Sequence, residues 1–320
     1  MKKFLIDSFV ACLAMFQATT SVSAVTIYTG MPDVTDSYYQ PFTKSLKSFN
    51  SDLQKQATDD DKFVVLDTQP EKLQTINYYY PDIWLRDVAP VVTTKMVKFR
   101  YAPGYLPKSD SNYLNKRFNK FLNQKYNYQK SKLILDGGNV QWNGAQTIIL
   151  TNKVLEDNPD WTKREIITEL KQKLAVKQVI LISKEPGDVL GHSDGMVKFI
   201  SAHRLLINDF SYESGFLKKI ESQIKVQDPR IHFIVLPSAY TSKNQYDKKI
   251  ASAKGLYINM LETKQKIYFP MYGLKSDEKI KHMVQKETDK TVVPISVGKI
   301  STLGGSIHCL TWDAPNKFLK

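Results

Sequence analysis

The stretch Leu303-Gly304-Gly305-Ser306-Ile307-His308-Cys309-Leu310-Thr311 carries one of only two cysteines in 320 residues. The other, Cys12, falls in an opening segment that reads as an export leader. Lys2 and Lys3 precede an apolar run from Phe4 to Phe16, broken only by Asp7 and Ser8, and a polar stretch then ends in Val22-Ser23-Ala24. That order predicts a signal peptide, residues 1–24, cleaved after Ala24, with the remaining chain periplasmic or secreted. Phe9-Val10-Ala11-Cys12 is a weak lipoprotein match whose apolar region is too short. The run is also too short and too interrupted to anchor the chain in a bilayer. Exported proteins normally use cysteine in pairs, so an unpaired Cys309 is either a small buried apolar residue or a nucleophile.

Residues 25–320 suffice for a large core, and without a Gly-, Ser- or Pro-rich linker they read as a single domain. Lysine and arginine number 45 against 32 acids, a formal net charge of +13. The excess is mostly scattered lysine, which predicts a solvated basic surface. No nucleic-acid motif accompanies it, and the aromatics do not interleave with arginines as a single-strand channel requires, so no nucleic-acid partner is expected. The letters leave the oligomeric state open.

Short apolar strands are expected at 63–66, 88–92, 133–135, 147–150, 179–182, 196–200, 205–207, 233–236, 256–258, 266–269 and 292–295. Helices alternate with them at about 45–56, 112–124, 162–175, 214–224 and 277–288. The clearest helix has Thr162 and Glu165 as a capping box and Ile167, Leu170 and Leu174 as its buried face. This alternation predicts an α/β fold. No internal identity is strong enough to prove a repeat from the letters.

Three further clusters bear chemistry. Asp82-Ile83-Trp84-Leu85-Arg86-Asp87-Val88-Ala89-Pro90 sets acids beside Trp and Arg before an apolar run, and alone it is an ordinary loop ion pair. Asp136-Gly137-Gly138-Asn139, between two apolar strands, alone reads as a hairpin turn. In Gly191-His192-Ser193-Asp194-Gly195, His192 and Asp194 project to one side if the segment is extended. A metal could use such a pair, but no second His or Cys motif completes a ligand set, so no metal is expected. The glycine-primed cysteine segment reads as a strand, in which His308 points away from the Cys309 side and is a poor partner for the thiol, which leaves His192 as the better one. His203, His232 and His282 stand alone and read as structural or surface residues.

Carboxylates near a thiol raise its pKa and blunt it, so a site that gathers them suits a cationic substrate. A guanidinium fits. Carboxylates match its planar fork, and its central carbon accepts a thiolate once held.

Trp84-Leu85-Arg86-Asp87, Asp136-Gly137-Gly138-Asn139, Gly191-His192-Ser193-Asp194-Gly195, Tyr257-Ile258-Asn259 and Gly304-Gly305-Ser306-Ile307-His308-Cys309-Leu310-Thr311 resemble the ordered motifs of the agmatine deiminase family, which includes the Porphyromonas-type peptidyl-arginine deiminases. The resemblance covers residues 84–311. It implies the pentein fold, a five-bladed α/β propeller of pseudo-symmetric ββαβ units. It also implies Cys309 as nucleophile, His192 as general acid and base, and Asp87 and Asp194 as carboxylates gripping the guanidinium. Trp84 and Gly305 would line the pocket, Asp136 would lie beside the histidine, and Asn259 would sit close to the site. The implied reaction is hydrolytic deimination without a cofactor through a covalent thiouronium, with agmatine the lead substrate, giving N-carbamoylputrescine and ammonia.

This chain departs from agmatine deiminases at the far end of the pocket. Leu310-Thr311-Trp312-Asp313 replaces Ile-Thr-Gln-Gln, and 99–105, Phe-Arg-Tyr-Ala-Pro-Gly-Tyr, replaces an Asn-Ala-Trp-Gly stretch. Arg100 in the pocket would favour a carboxy-terminal arginine and hence peptidyl-arginine deimination; Arg100 facing solvent leaves agmatine. The rivals from other classes are a non-catalytic guanidine- or polyamine-binding protein and a cysteine peptidase.

Overall fold

A computed structural model describes residues 25–57, 61–68, 75–239 and 245–320; the expected leader, with Cys12, lies outside them. Its strands fall into five separate sheets with one recurring plan.

β1 (Val25–Gly30), α1 (Thr43–Gln56), β2 (Asp61–Asp67) and β3 (Thr75–Asn77) open the chain, and a single-turn helix α2 (Leu85–Val88) follows. The second unit is β4 (Val91–Val92), β5 (Met96–Arg100), α3 (Lys108–Lys125) and β6 (Gln129–Ile134). The third is β7 (Gln141–Trp142), β8 (Thr147–Thr151), α4 (Lys153–Glu156), α5 (Lys163–Leu174) and β9 (Gln178–Ile182). The fourth is β10 (Val197–Ser201), β11 (Arg204–Asn208), α6 (Phe216–Gln227) and β12 (His232–Leu236). The fifth is β13 (Leu261–Glu262), β14 (Lys266–Met271), α7 (Asp277–Lys286) and β15 (Thr291–Ser296). A second single-turn helix, α8 (Ile307–Leu310), leads into β16 (Thr311–Pro315).

In units two to five the first strand pairs antiparallel with the second, and the second pairs parallel with the third across a helix. That is a ββαβ unit, in which the parallel pair needs a crossover helix to bring the chain back. The remaining sheet takes its first strand from the other end of the chain: β16 pairs antiparallel with β1, which pairs parallel with β2. Tyr28 and Trp312 stack across this closure with ring centroids 5.5 Å apart, and the Trp312 indole donates to the Pro90 carbonyl at 3.0 Å. Trp312, one of the departures noted above, is therefore a core residue.

Each crossover helix buries one stripe against its sheet. α1 buries Leu46, Phe49 and Leu53, and α6 buries Phe216, Ile220 and Ile224, at the spacing of one helical face. α5 begins at the expected Thr162–Glu165 capping box, but its buried face is Ile166, Leu170 and Leu174, with Ile167 only partly covered.

Three expected strands take other forms. Residues 88–92 are the end of α2, then Ala89-Pro90, then the two-residue β4, because proline at 90 cannot continue a helix or donate to a ladder. Residues 256–258 form a turn, closed by the Asn259 amide donating to the Leu256 carbonyl at 3.3 Å. Tyr257 and Ile258 are fully buried there, so an apolar run marked burial without marking a strand. The cysteine segment is α8, with consequences for His308 below.

Candidate active site

The five motif segments occupy equivalent places. Each lies just before the short first strand of one sheet: 84–87 before β4, 136–139 before β7, 191–195 before β10, 257–259 before β13 and 304–310 before β16. The Asp136–Asn139 segment is accordingly a connection between sheets, a 3-10 turn at Gly137–Asn139, and not a hairpin. Polar side chains anchor these turns from within. Asn139 Oδ1 accepts from the Thr151 and Ser193 amides at 2.9 and 3.2 Å, tying the 136–139 turn to the 191–195 turn. Tyr257 donates to buried Asp277 at 2.6 Å, which fixes the turn bearing Asn259.

Cys309 is buried in α8. Asn259 clamps it from both sides, Nδ2 donating to Sγ at 3.2 Å and Oδ1 accepting from the Cys309 amide at 3.3 Å. Sγ lies 3.6 Å from Asp194 Oδ2. Burial pushes the thiol well above its ordinary pKa, and the negative charges of Asp194 and Asp87 add to the effect. The unliganded thiol is therefore protonated at neutral pH.

His192 lies between two acids. Nε2 is 3.0 Å from Asp136 Oδ2, and Nδ1 is 3.6 Å from Asp87 Oδ1. Burial disfavours its charge, but Asp87 and Asp136 outweigh that and raise its pKa above the imidazole norm. With a carboxylate before each ring nitrogen, the imidazolium is the stable form. Burial also raises Asp87 above the usual carboxylate range. Asp87 Oδ1 and Asp136 Oδ1 are buried without a hydrogen-bond partner among the described residues. Two of the acids and the histidine converge on one backbone point: a Cβ on Gly138 would lie 2.6 Å from Asp87 Oδ1, 2.9 Å from His192 Nδ1 and 3.1 Å from Asp194 Oδ2. Three carboxylates around one imidazolium and a neutral thiol leave a negative site.

A cavity of about 380 Å³ opens onto this cluster. Its wall includes His192, Asp194, Asn259, Gly305 and Cys309, and nearer solvent Glu185, Asp188, Tyr212, Lys248 and Lys249. Trp84, expected to line it, is not on the wall; its ring packs on Gly305, where a Cβ would come within 2.3 Å of the indole. Asp87 and Asp136 are likewise not on the wall.

Arg100 is exposed, between buried Phe99 and Tyr101, and takes no part in the cavity. Asp313, another departure, pairs with Arg86 at 2.6 Å, and Arg86 also donates to the His308 carbonyl at 3.3 Å. Sequence reasoning discounted His308, yet its Nδ1 is 2.7 Å from Asp194 Oδ2. The discount assumed a strand. In one turn of helix, neighbouring side chains differ by about 100° and not by the 180° of a strand, so His308 and Cys309 both reach Asp194. Glu185 and Tyr212 were also missed, since single residues in loops carry no periodic signal.

Five ββαβ units whose lead-in turns assemble a thiol, a histidine and acids define a pentein. The chain matches the Porphyromonas-type peptidyl-arginine deiminase family over residues 26–315 and belongs to that family. A candidate agmatine deiminase of Marinomonas sp. (strain MWYL1) is 26% identical over 215 residues, which is 58% of this chain and 58% of that protein. The chain thus spans little more than half the length of that relative. Among solved structures, C. jejuni agmatine deiminase superposes with a TM-score of 0.76 at 19% identity, covering 93% of this chain and 95% of that one. The agmatine deiminase of Enterococcus faecalis gives 0.75 at 18%, covering 92% and 94%.

Proposed function

We propose that the protein hydrolyses a guanidino group to a ureido group and ammonia, with agmatine the lead substrate. The observation that carries this is the convergence of the Cys309 thiol, the His192 imidazolium and the Asp194 carboxylate at one cavity, with Asp87 and Asp136 against His192 behind its wall, a negative site suited to a guanidinium. A binding-only protein would have no use for a thiol clamped by Asn259.

A guanidinium held by Asp194 and Asp87 offsets the charges that keep Cys309 protonated, and the thiol proton passes to water. The thiolate then attacks the guanidinium carbon. His192 gives a proton to one nitrogen, which leaves as ammonia, and a thiouronium remains on Sγ. Neutral His192, still oriented by Asp136, takes a proton from water as its oxygen adds to the same carbon. The C–S bond breaks, the thiolate is restored, and the carbon leaves as a urea once its hydroxyl proton passes to the released ammonia or to water.

Exposed Arg100 takes no part in the cavity, which keeps agmatine the lead; the mouth carries Glu185 and Asp188, acids for an ammonium, beside Lys248 and Lys249, which a substrate carboxylate would meet. The test is a panel assay for ammonia and ureido product with agmatine, free arginine and peptides ending in arginine. Preferential turnover of the peptides would replace the lead with peptidyl-arginine deimination. Export is part of the same reading, supported by Lys2-Lys3, the apolar run and Val22-Ser23-Ala24. Amino-terminal sequencing of the protein from the periplasm or medium should begin at Val25.

A further inference from the structure

The site holds two buried histidines in opposite electrostatic settings. His192 faces carboxylates through both ring nitrogens. His308 faces one carboxylate and is flanked by cations: Arg86 donates to its own carbonyl at 3.3 Å, and Lys198 is a further positive neighbour. Burial and Arg86 push the His308 imidazole down to about 4, so it is neutral at physiological pH. A neutral imidazole carries one proton. The 2.7 Å contact of Nδ1 with Asp194 Oδ2 places that proton on Nδ1, since an unprotonated Nδ1 would set a lone pair against a carboxylate.

We propose that His308 is a positioning residue that donates from Nδ1 to Asp194 Oδ2, fixing that oxygen beside Cys309 and leaving Oδ1 free for the substrate guanidinium. The proposal rests on the deiminase reading for the identity of the substrate, but its geometry does not. Asp194 Oδ2 faces both His308 Nδ1 and the Cys309 thiol, while Oδ1 has no hydrogen bond among the described residues. Burial alone would raise Asp194, and His308, first through its hydrogen bond and then through its positive polarity, leads the contacts that reverse this and lower it, ahead of the charges of His192 and Arg86. His308 thus holds Asp194 ionised without adding a charge that would compete with a cationic substrate. Arg86, anchored on Asp313, holds the His308 backbone in turn.

Two variants separate this role from simple packing. His308→Leu keeps the volume and removes the donor, whereas His308→Asn returns an N–H close to the Nδ1 position. The first readout is a 13C NMR titration of the Asp194 carboxyl in the full chain, with Asp194→Asn as the assignment control. The Leu variant should raise the Asp194 midpoint by about one pH unit, a shift in the range for losing one hydrogen bond to a charged group, and the Asn variant should return most of it. The second is steady-state turnover of agmatine, in which Leu should raise KM about tenfold and lower kcat less, with Asn again between. An unmoved midpoint in a folded Leu variant, or a shift that Asn does not reverse, overturns the proposal. If the unaltered protein turns over no guanidine, the deiminase reading fails, and the NMR titration still decides the role of His308.

Discussion

Cys309 Sγ lies 3.6 Å from Asp194 Oδ2, so the only thiol among the described residues is held against a carboxylate that opposes its ionisation. With the thiol well above its usual range, neutral iodoacetamide should alkylate Cys309 at pH 7 more slowly than free cysteine, and faster only as pH rises. A cationic haloacetamidine should be the faster reagent, since its charge takes the place of the guanidinium. Equal rates for the two reagents at pH 7 would show that the acids do not set the reactivity of the thiol.

Asp87 and Asp194 should each be indispensable. Asp87→Asn or Asp194→Asn leaves a substrate cation without a buried partner, a loss of about 3 to 5 kcal/mol in kcat/KM. Steady-state kinetics on agmatine measures it. Near-normal turnover by both variants would dismiss the carboxylate grip.

Gly138 should tolerate no side chain. In Gly138→Ala the new Cβ would meet Asp87 Oδ1, His192 Nδ1 and Asp194 Oδ2 within 2.6 to 3.1 Å, so the acids must move apart. Circular dichroism should show a folded protein, and agmatine turnover should fall at least a hundredfold, since misplacement by about 1 Å already costs that much. A folded, fully active variant would mean the three groups do not act at one point.

The architecture was legible where periodicity is long and hidden where it is short. All five crossover helices stood out, because stripes such as Leu46, Phe49 and Leu53 repeat over several turns. The fivefold repeat did not, because its shared feature is a backbone plan, and because the first strands of three units are only two residues long. β1 and β16 were missed as partners for a related reason: their pairing joins residues nearly the whole chain apart. At the site, the glycines and acids of the five turns were visible as motifs. The role of His308 was not, because four residues of helix in α8 leave no period to read.

Glu185 gives the cavity mouth a pH dependence. Burial raises its carboxyl to about 7, against the lowering effect of the Tyr212 hydroxyl that donates to it at 2.7 Å. It is therefore neutral at lower pH and becomes an anion as pH rises through 7. KM for agmatine, whose far end is an ammonium, should fall about fivefold over that range, the worth of a partly exposed ion pair. Asp87, raised by burial to about 7 as well, ionises over the same range and contributes a fall common to all guanidines. Glu185→Gln should therefore reduce the agmatine change to that of butylguanidine, which lacks the ammonium and should respond alike in both proteins. A KM for agmatine that is flat through neutrality in the unaltered protein would exclude Glu185 from substrate recognition.

The central claim is that Cys309 forms a covalent bond to the guanidinium carbon. Rapid acid quenching of the protein turning over agmatine, followed by intact-mass and peptide mass spectrometry, tests it most directly. The account predicts an adduct of agmatine minus ammonia on the peptide bearing Cys309, and in a folded Cys309→Ala variant neither adduct nor ammonia release. Ammonia release by Cys309→Ala at the rate of the unaltered protein, with no adduct trapped in either, would contradict it.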